Sequence, residues 1–185
     1  WRTGRTRPAL KIRACRLTAL GRRRWTRLDD RSNDVAAALI APLDDRQRER
    51  LTAALATADL VLRTAAVTFE AVDPTGVEAT EAMEAYFAEL DARFPTGFDG
   101  SDALGPAAAP MSAPAGTFLL ARDETGAVAG CGGVQRHDRT TGEIKRMWIA
   151  PAWRGGGLGR RLLGELERRA GELGYRHVVL DTNAT

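Results

Sequence analysis

The chain has 185 residues, 44% hydrophobic and 28% charged, enough apolar material for a buried core in one domain or two small ones. No window approaches the roughly 18 uninterrupted apolar residues of a membrane helix, and the basic start at Trp1 leads into no signal-peptide core. Neither export nor a membrane partner is expected, and a cytoplasmic, reducing compartment is the default. Cys15 and Cys131 lie far apart without a CxxC or histidine-rich neighbourhood, which suggests neither a disulfide framework nor a metal site. The net charge of +3 hides an asymmetry: residues 1–28 hold ten Arg and Lys and no acid, so the remainder carries −7. That split fits an arm that meets a polyanion as well as it fits a solvated basic face. A chain that begins at Trp1 reads as a fragment or a processed piece.

In chain order, Leu10, Ile12, Ala14 and Leu17 alternate with Lys11, Arg13 and Arg16, the pattern of a short strand with one cationic face, and Pro8 marks its start. From about Thr18 the period changes. Trp25, Leu28, Ser32, Val35 and Leu39 recur every three or four residues, a helical stripe that Pro42 stops. Asp44 and Gln47 have capping-box spacing for a second helix, striped by Leu51, Leu55, Ala58 and Leu62. Two such helices cannot bury both stripes alone and need a partner chain or a docked domain.

Val67, Phe69, Ala71 and Val72 suit a strand, residues 73–76 are turn chemistry, and Met83, Tyr86, Phe87, Leu90 and Phe94 mark a third helix. Four of the eight prolines fall between Pro95 and Gly116, so that stretch reads as a loop, mobile or facing substrate rather than core. Residues 117–121 and 127–135 read as a hairpin, 143–150 as a third strand, 158–173 as a helix and 175–181 as a last strand. The order is strand, helix, three strands, helix, strand, with no internal repeat.

The chemistry lies between Met147 and Arg160. A strand runs into a turn of Arg154, Gly155, Gly156, Gly157, Leu158 and Gly159, and a helix begins at once. Its first N–H groups are unpaired, and the positive end of the helix dipole stands behind them. Glycines let an anion reach the main chain, and Arg154 and Arg160 add charge, so residues 154–160 are expected to bind a diphosphate. A phosphate loop of the nucleotide hydrolases needs Lys and Ser or Thr after its last glycine, where this chain has Arg160 and Arg161. A dinucleotide fingerprint beginning at Gly155 and Gly157 would need glycine at 160.

Arg154-x-x-Gly157-x-Gly159, after a strand running from Glu143 to Ile149 and before a helix, resembles the acetyl-CoA-binding signature of the GNAT-family N-acetyltransferases. The likeness extends to Leu180-Asp181-Thr182-Asn183 and to the strand order, covering roughly residues 66–185. It implies a mixed, mostly antiparallel sheet flanked by helices, with the diphosphate of coenzyme A on the amides of 155–160. It further implies pantetheine along the main chain of Met147, Trp148 and Ile149, and a contact from Asn183. The function implied is acetyl transfer to a primary amine, on a small molecule or a protein lysine. Attack on a thioester needs a base, and Glu143 is the candidate, at the place where family members often carry a catalytic glutamate. The other reading of Glu143 is a strand-end carboxylate paired with Lys145 or Arg146. His137 and His177 read as surface histidines, and Cys131 as a small packing residue. The family normally continues past this point with one more helix and two strands, which usually supply the acid for the departing thiolate. The chain is therefore expected to be C-terminally truncated, with impaired or no turnover.

Residues 8–65 are similar to the end of a MarR-type winged-helix regulator, with Leu17 to Arg23 as the outgoing wing strand and two dimerisation helices after it. That resemblance divides the chain into a partial regulator, 1–65, and an acetyltransferase domain, 66–185. It implies a homodimer through the N-terminal helices and DNA as a partner of the basic arm. The alternative function is a DNA-binding regulator whose GNAT-like domain senses coenzyme A without catalysis. A helical extension that merely supports dimerisation is the plainer reading.

Overall fold

A computed structural model describes residues 16–94, 97, 100, 102 and 104–180. The chain divides into two compact units, Trp1–Thr52 and Ala53–Thr185. Leu10, Ile12 and Ala14 of the expected first strand lie outside the described residues.

The first unit contains α1 (Ala19–Ile40) and the start of α2 (Asp45–Ala66). Thr18 caps α1, its Oγ1 accepting from the Gly21 N–H at 3.1 Å. This corrects the wing-strand expectation for Leu17 to Arg23: a threonine cap followed by Ala-Leu favours a helix, and residues 19–23 are its first turn. The periodicity that begins near Thr18 gives the right element. At α2 the capping box is reciprocal, with Gln47 N–H donating to Asp44 Oδ1 at 2.7 Å and Asp44 N–H to Gln47 Oε1 at 3.0 Å. No described residue of α1 is buried, and Trp25, Leu28, Val35 and Leu39 stand exposed.

The second unit is built on a five-stranded sheet in the order β1 (Thr68–Val72), β2 (Thr117–Arg122), β3 (Val128–Arg136), β4 (Thr141–Ile149), β5 (His177–Leu180). The first three pairings are antiparallel and β4–β5 is parallel. Helix α3 (Val77–Arg93) covers one face, where Met83, Phe87, Phe118, Leu120 and Cys131 pack together. Helix α4 (Leu158–Glu172) covers the other, setting Leu162 and Leu166 against Leu119, Val134 and Ile144. Because both faces are covered, β2 is apolar without alternation, and Phe118 to Ala121 are all fully buried.

The proline-rich stretch is not simply a loop. Gly105–Met111 forms a short 3-10 helix whose Ala108 and Met111 are buried against the α3 face of the sheet. Met111 fits there because Gly133 of β3 has no Cβ: one at that position would lie 2.3 Å from Met111 Sδ.

The stripe expected for α2 is also displaced. Leu55 and Leu62 are exposed, and the half of α2 in the second unit instead turns Leu60 and Thr64 towards the turn before α4. The second compact unit begins inside α2, at Ala53.

Candidate functional site

The parallel pairing of β4 with β5 runs only from Thr141↔His177 to Ile144↔Leu180, while β4 itself continues to Ile149. Beyond Ile144 the described residues give β4 no partner on this edge, since those after Leu180 lie outside them, and at the end of the strand the Ile149 carbonyl accepts from Arg154 Nε at 2.9 Å. The side chains there have other tasks. Met147 and Ile149 pack with the α4 core, whereas Trp148 donates its Nε1–H to Glu89 Oε2 at 2.8 Å.

Beyond Ile149, Pro151–Trp153 make a single 3-10 turn, and Gly155 and Gly157 take φ of 86° and 88°, the left-handed region open to glycine. Gly157 is the residue before α4 and has no side chain to cap it. The N–H groups of Gly155, Gly156, Gly157, Leu158, Gly159 and Arg160 donate no hydrogen bond to a described residue, and the first amide that does is Arg161, to Gly157 at 3.2 Å. Leu158 contributes only its main chain, since its side chain is buried against Val67 and Ala129. This row of unpaired donors at a helix N-terminus is a cradle that can take an anion such as a diphosphate.

The cradle rests on α2. A Cβ on Gly156 would lie 2.4 Å from Thr64 Oγ1 and 3.0 Å from Leu60 Cγ, so this position has no space for a side chain. Thr64 is buried, and its hydroxyl has no hydrogen-bond partner. Arg161, which sequence reasoning passed over, ties α4 to the same place. Its guanidinium donates to Thr64 O and, at 3.0 Å, to Val67 O, and lies 5.4 Å from the Phe69 ring centre.

Of the two cations expected at the anion, Arg160 is exposed and Arg154 is turned back: its Nε donates to Ile149 O at 2.9 Å, and its other end pairs with Glu89. Glu89 carries no signal in the sequence. It joins Trp148, Arg93 and Arg154, and the Arg154 hydrogen bond, helped by that from Trp148 and opposed by burial, holds its carboxyl below the usual carboxylate range. Asn183 lies outside the described residues.

Glu143 sits on β4 with Oε1 2.5 Å from Lys145 Nζ, and its Oε2 accepts from Gln135 Nε2 at 3.0 Å. Burial pushes its carboxyl up, but the hydrogen bonds from Lys145 and Gln135, with the charges of Lys145 and His137, bring it below its ordinary value. Both readings of Glu143 therefore meet at one atom group: it is ion-paired with Lys145, and it is an ionised acceptor. Cys131 is fully buried and its thiol is pushed up to about 12 by burial, which suits packing and not nucleophilic chemistry. Among the described residues no cluster of His, Cys, Asp or Glu holds metal-ligand geometry.

Two clefts meet at Tyr86. One of about 250 Å³ runs along Trp148, Ile149 and Arg154 with Glu89 and Leu90. The other, of about 450 Å³, is lined by Phe87, Gln135, Lys145 and Arg146. Burial raises the Tyr86 phenol above its usual value, so it stays protonated at neutral pH.

Comparison with known proteins agrees with this geometry. The family model described as "Acetyltransferase (GNAT) family" matches residues 79–185. An IAA acetyltransferase of Azospirillum brasilense is 42% identical over 66 residues, which are 35% of this chain and 42% of that protein. An uncharacterised N-acetyltransferase of Schizosaccharomyces pombe is 40% identical over 70 residues, 37% of this chain and 43% of that one. The chain thus spans less than half the length of these curated relatives. Among solved structures, a GNAT-family acetyltransferase from Staphylococcus aureus superposes with a TM-score of 0.53 at 18% identity, covering 63% of this chain and 74% of that one. An acetyltransferase from Streptococcus agalactiae gives 0.51 at 20% identity over 65% and 75% of the two chains. The cofactor of the family is acetyl-CoA, whose diphosphate the unpaired amides of the glycine turn suit. With more than half its residues inside the family match and its sheet, glycine turn and helix in the corresponding order, the chain belongs to the GNAT acetyltransferase family.

Proposed function

We propose that the protein is an acetyl-CoA-dependent N-acetyltransferase for a primary amine. The observation that carries this is the row of unpaired N–H groups from Gly155 to Arg160, placed between the end of β4 and the first turn of α4. Bound acetyl-CoA supplies an activated acetyl group. The chain's own residues do the rest: the amides of 155–160 hold the diphosphate, Arg160 adds charge beside them, and the main chain of Met147, Trp148 and Ile149 orients the pantetheine arm. Arg154 serves by bracing the turn through Ile149 O and Glu89. Glu143, ionised at neutral pH, takes a proton from the substrate ammonium, directly or through water, and so frees the amine lone pair for attack on the thioester carbonyl.

A second reading, a coenzyme A sensor without transfer, is favoured by one observation: both Glu143 oxygens are already engaged, by Lys145 and Gln135. Calorimetric titration with acetyl-CoA, ATP and NAD, followed by thiol release with a panel of amines, separates the outcomes. Selective acetyl-CoA binding with amine-dependent release supports the enzyme; the same binding with no release supports the sensor; no preference for acetyl-CoA overturns both.

For the N-terminal segment we propose the regulator relationship on its helices and its charge. Two consecutive 22-residue helices and ten cations without an acid in residues 1–28 support a homodimer through α1 and DNA as a polyanionic partner. Binding to duplex DNA that weakens steeply between low and physiological salt is expected, measured by fluorescence anisotropy. A flat salt response, or a monomer by sedimentation at micromolar concentration, would remove these partners.

A further inference from the structure

The larger cleft at Tyr86 contains a cation, Arg146, that forms no ion pair with a described carboxylate. Alternation along a strand sends successive side chains to opposite faces. In β4 the rule holds for Ile144 and Met147, which pack towards α4, and for Trp148, which packs towards α3. It breaks at Lys145 and Arg146, consecutive residues that line the same cleft on the α3 face. The cause is a bulge. The β3–β4 register slips between Cys131 and Gly133, and Arg146 takes φ 55°, the only non-glycine residue in the left-handed region among those described. Such a conformation is unfavourable for a side-chain-bearing residue, and it recurs where a side chain is re-aimed at a ligand.

What Arg146 is aimed at is incomplete. Its guanidinium lies 5.8 Å from the Phe87 ring centre and donates to Met83 Sδ at 2.9 Å, a weak acceptor on a buried side chain. Lys145, beside it, is matched by Glu143, but no described carboxylate pairs with Arg146. Asp102 lines the same cleft and forms no ion pair with it. Burial pulls the pKa of this guanidinium down from its ordinary value, the mark of a desolvation cost, and an arginine side chain in a protein keeps its charge. A half-buried guanidinium resting on a thioether and a ring keeps its planar fork of donors for a carboxylate.

We propose that Arg146 binds a carboxylate of the acceptor, so that the protein acetylates a small amine that also carries a carboxylate. This rests on the acetyltransferase reading and narrows its acceptor from amines in general to amino acids in the broad sense. It also sets aside a protein lysine, whose ε-amine carries no carboxylate close enough to enter a cleft of about 450 Å³ together with it.

The test separates binding from turnover. Protein loaded with coenzyme A is titrated calorimetrically with glycine, β-alanine, 4-aminobutyrate and the common α-amino acids, each against its own carboxamide. At least one acid should bind roughly 10- to 100-fold more tightly than its amide, the worth of a charge-assisted pair. Arg146→Met should bring that ratio close to one, and Arg146→Lys should restore part of it. Coenzyme A affinity of each variant reports whether the fold is intact. In the transfer assay the same preference should appear mainly in KM. If no acid outbinds its amide, or if the ratio survives in Arg146→Met, the proposal is overturned. If acids are preferred and Arg146-dependent but none is acetylated, the carboxylate site stands and the catalytic reading falls.

Discussion

At the scale of single residues, the turn before α4 is limited by space on one side and open on the other. Gly156 backs onto Thr64 and Leu60 of α2, whereas a Cβ on Gly157 would meet nothing within 4 Å. Gly156→Ala should therefore move the turn, lowering acetyl-CoA affinity by at least tenfold in calorimetry, and Thr64→Ala in the same chain should recover part of the loss by removing the 2.4 Å contact. An unchanged affinity in Gly156→Ala would show that the turn does not depend on this packing. Glu143 supports a different experiment. With its carboxyl below the ordinary value of 4.5, it is already ionised throughout the neutral range and loses its charge only as pH falls through that lowered value. The rate should thus show no Glu143 limb between about pH 6 and 8, and any limb there belongs to the substrate amine. Glu143→Gln should lower kcat on the order of 100-fold with acetyl-CoA affinity preserved. Full rate in this variant would remove Glu143 from the mechanism.

At the scale of elements, α4 does two jobs with opposite ends and faces. Its N-terminus offers bare amides, and its stripe of Leu158, Leu162, Leu166 and Ala170 closes one face of the sheet. Period 3.6 places those residues in line. Leu166 is fully buried against β3, so Leu166→Ala should destabilise the fold by roughly 2–5 kcal/mol in urea unfolding. A loss under about 1 kcal/mol would mean that the helix is loosely docked. Helix α2 was not legible in the same way. Its exposed Leu55 and Leu62 look like the packing stripe, while the contact with the turn is made through Leu60 and Thr64. A threonine at the centre of a packed face carries no hydrophobic signal. Nor does Glu89, one carboxylate among several on α3, announce that it will join α3 to Trp148 and Arg154.

At the scale of the whole molecule, the compact unit that holds the site begins at Ala53, and its first helical turns support the anion cradle. A chain cut to residues 53–185 should bind acetyl-CoA within about threefold of the full chain, whereas one cut to 67–185 should lose most affinity, because Leu60, Thr64 and the carbonyl partner of Arg161 leave with α2. Equal binding by both would show that α2 is dispensable to the site. The sequence by itself determined the order of strands and helices from residue 66 on, the capping box at the start of α2, and the glycine turn after β4. Each of these is written in local chemistry: hydrophobic period, side-chain oxygens at fixed offsets, and residues without a Cβ. Only the tertiary structure decided that Gly105–Met111 enters the core, that Arg154 braces the turn through Glu89, and that a bulge brings Arg146 into the cleft beside Lys145. Those outcomes depend on which distant residues share a face once the sheet has formed, and a register slip of one residue, invisible in any local pattern, is enough to reverse the direction of a side chain.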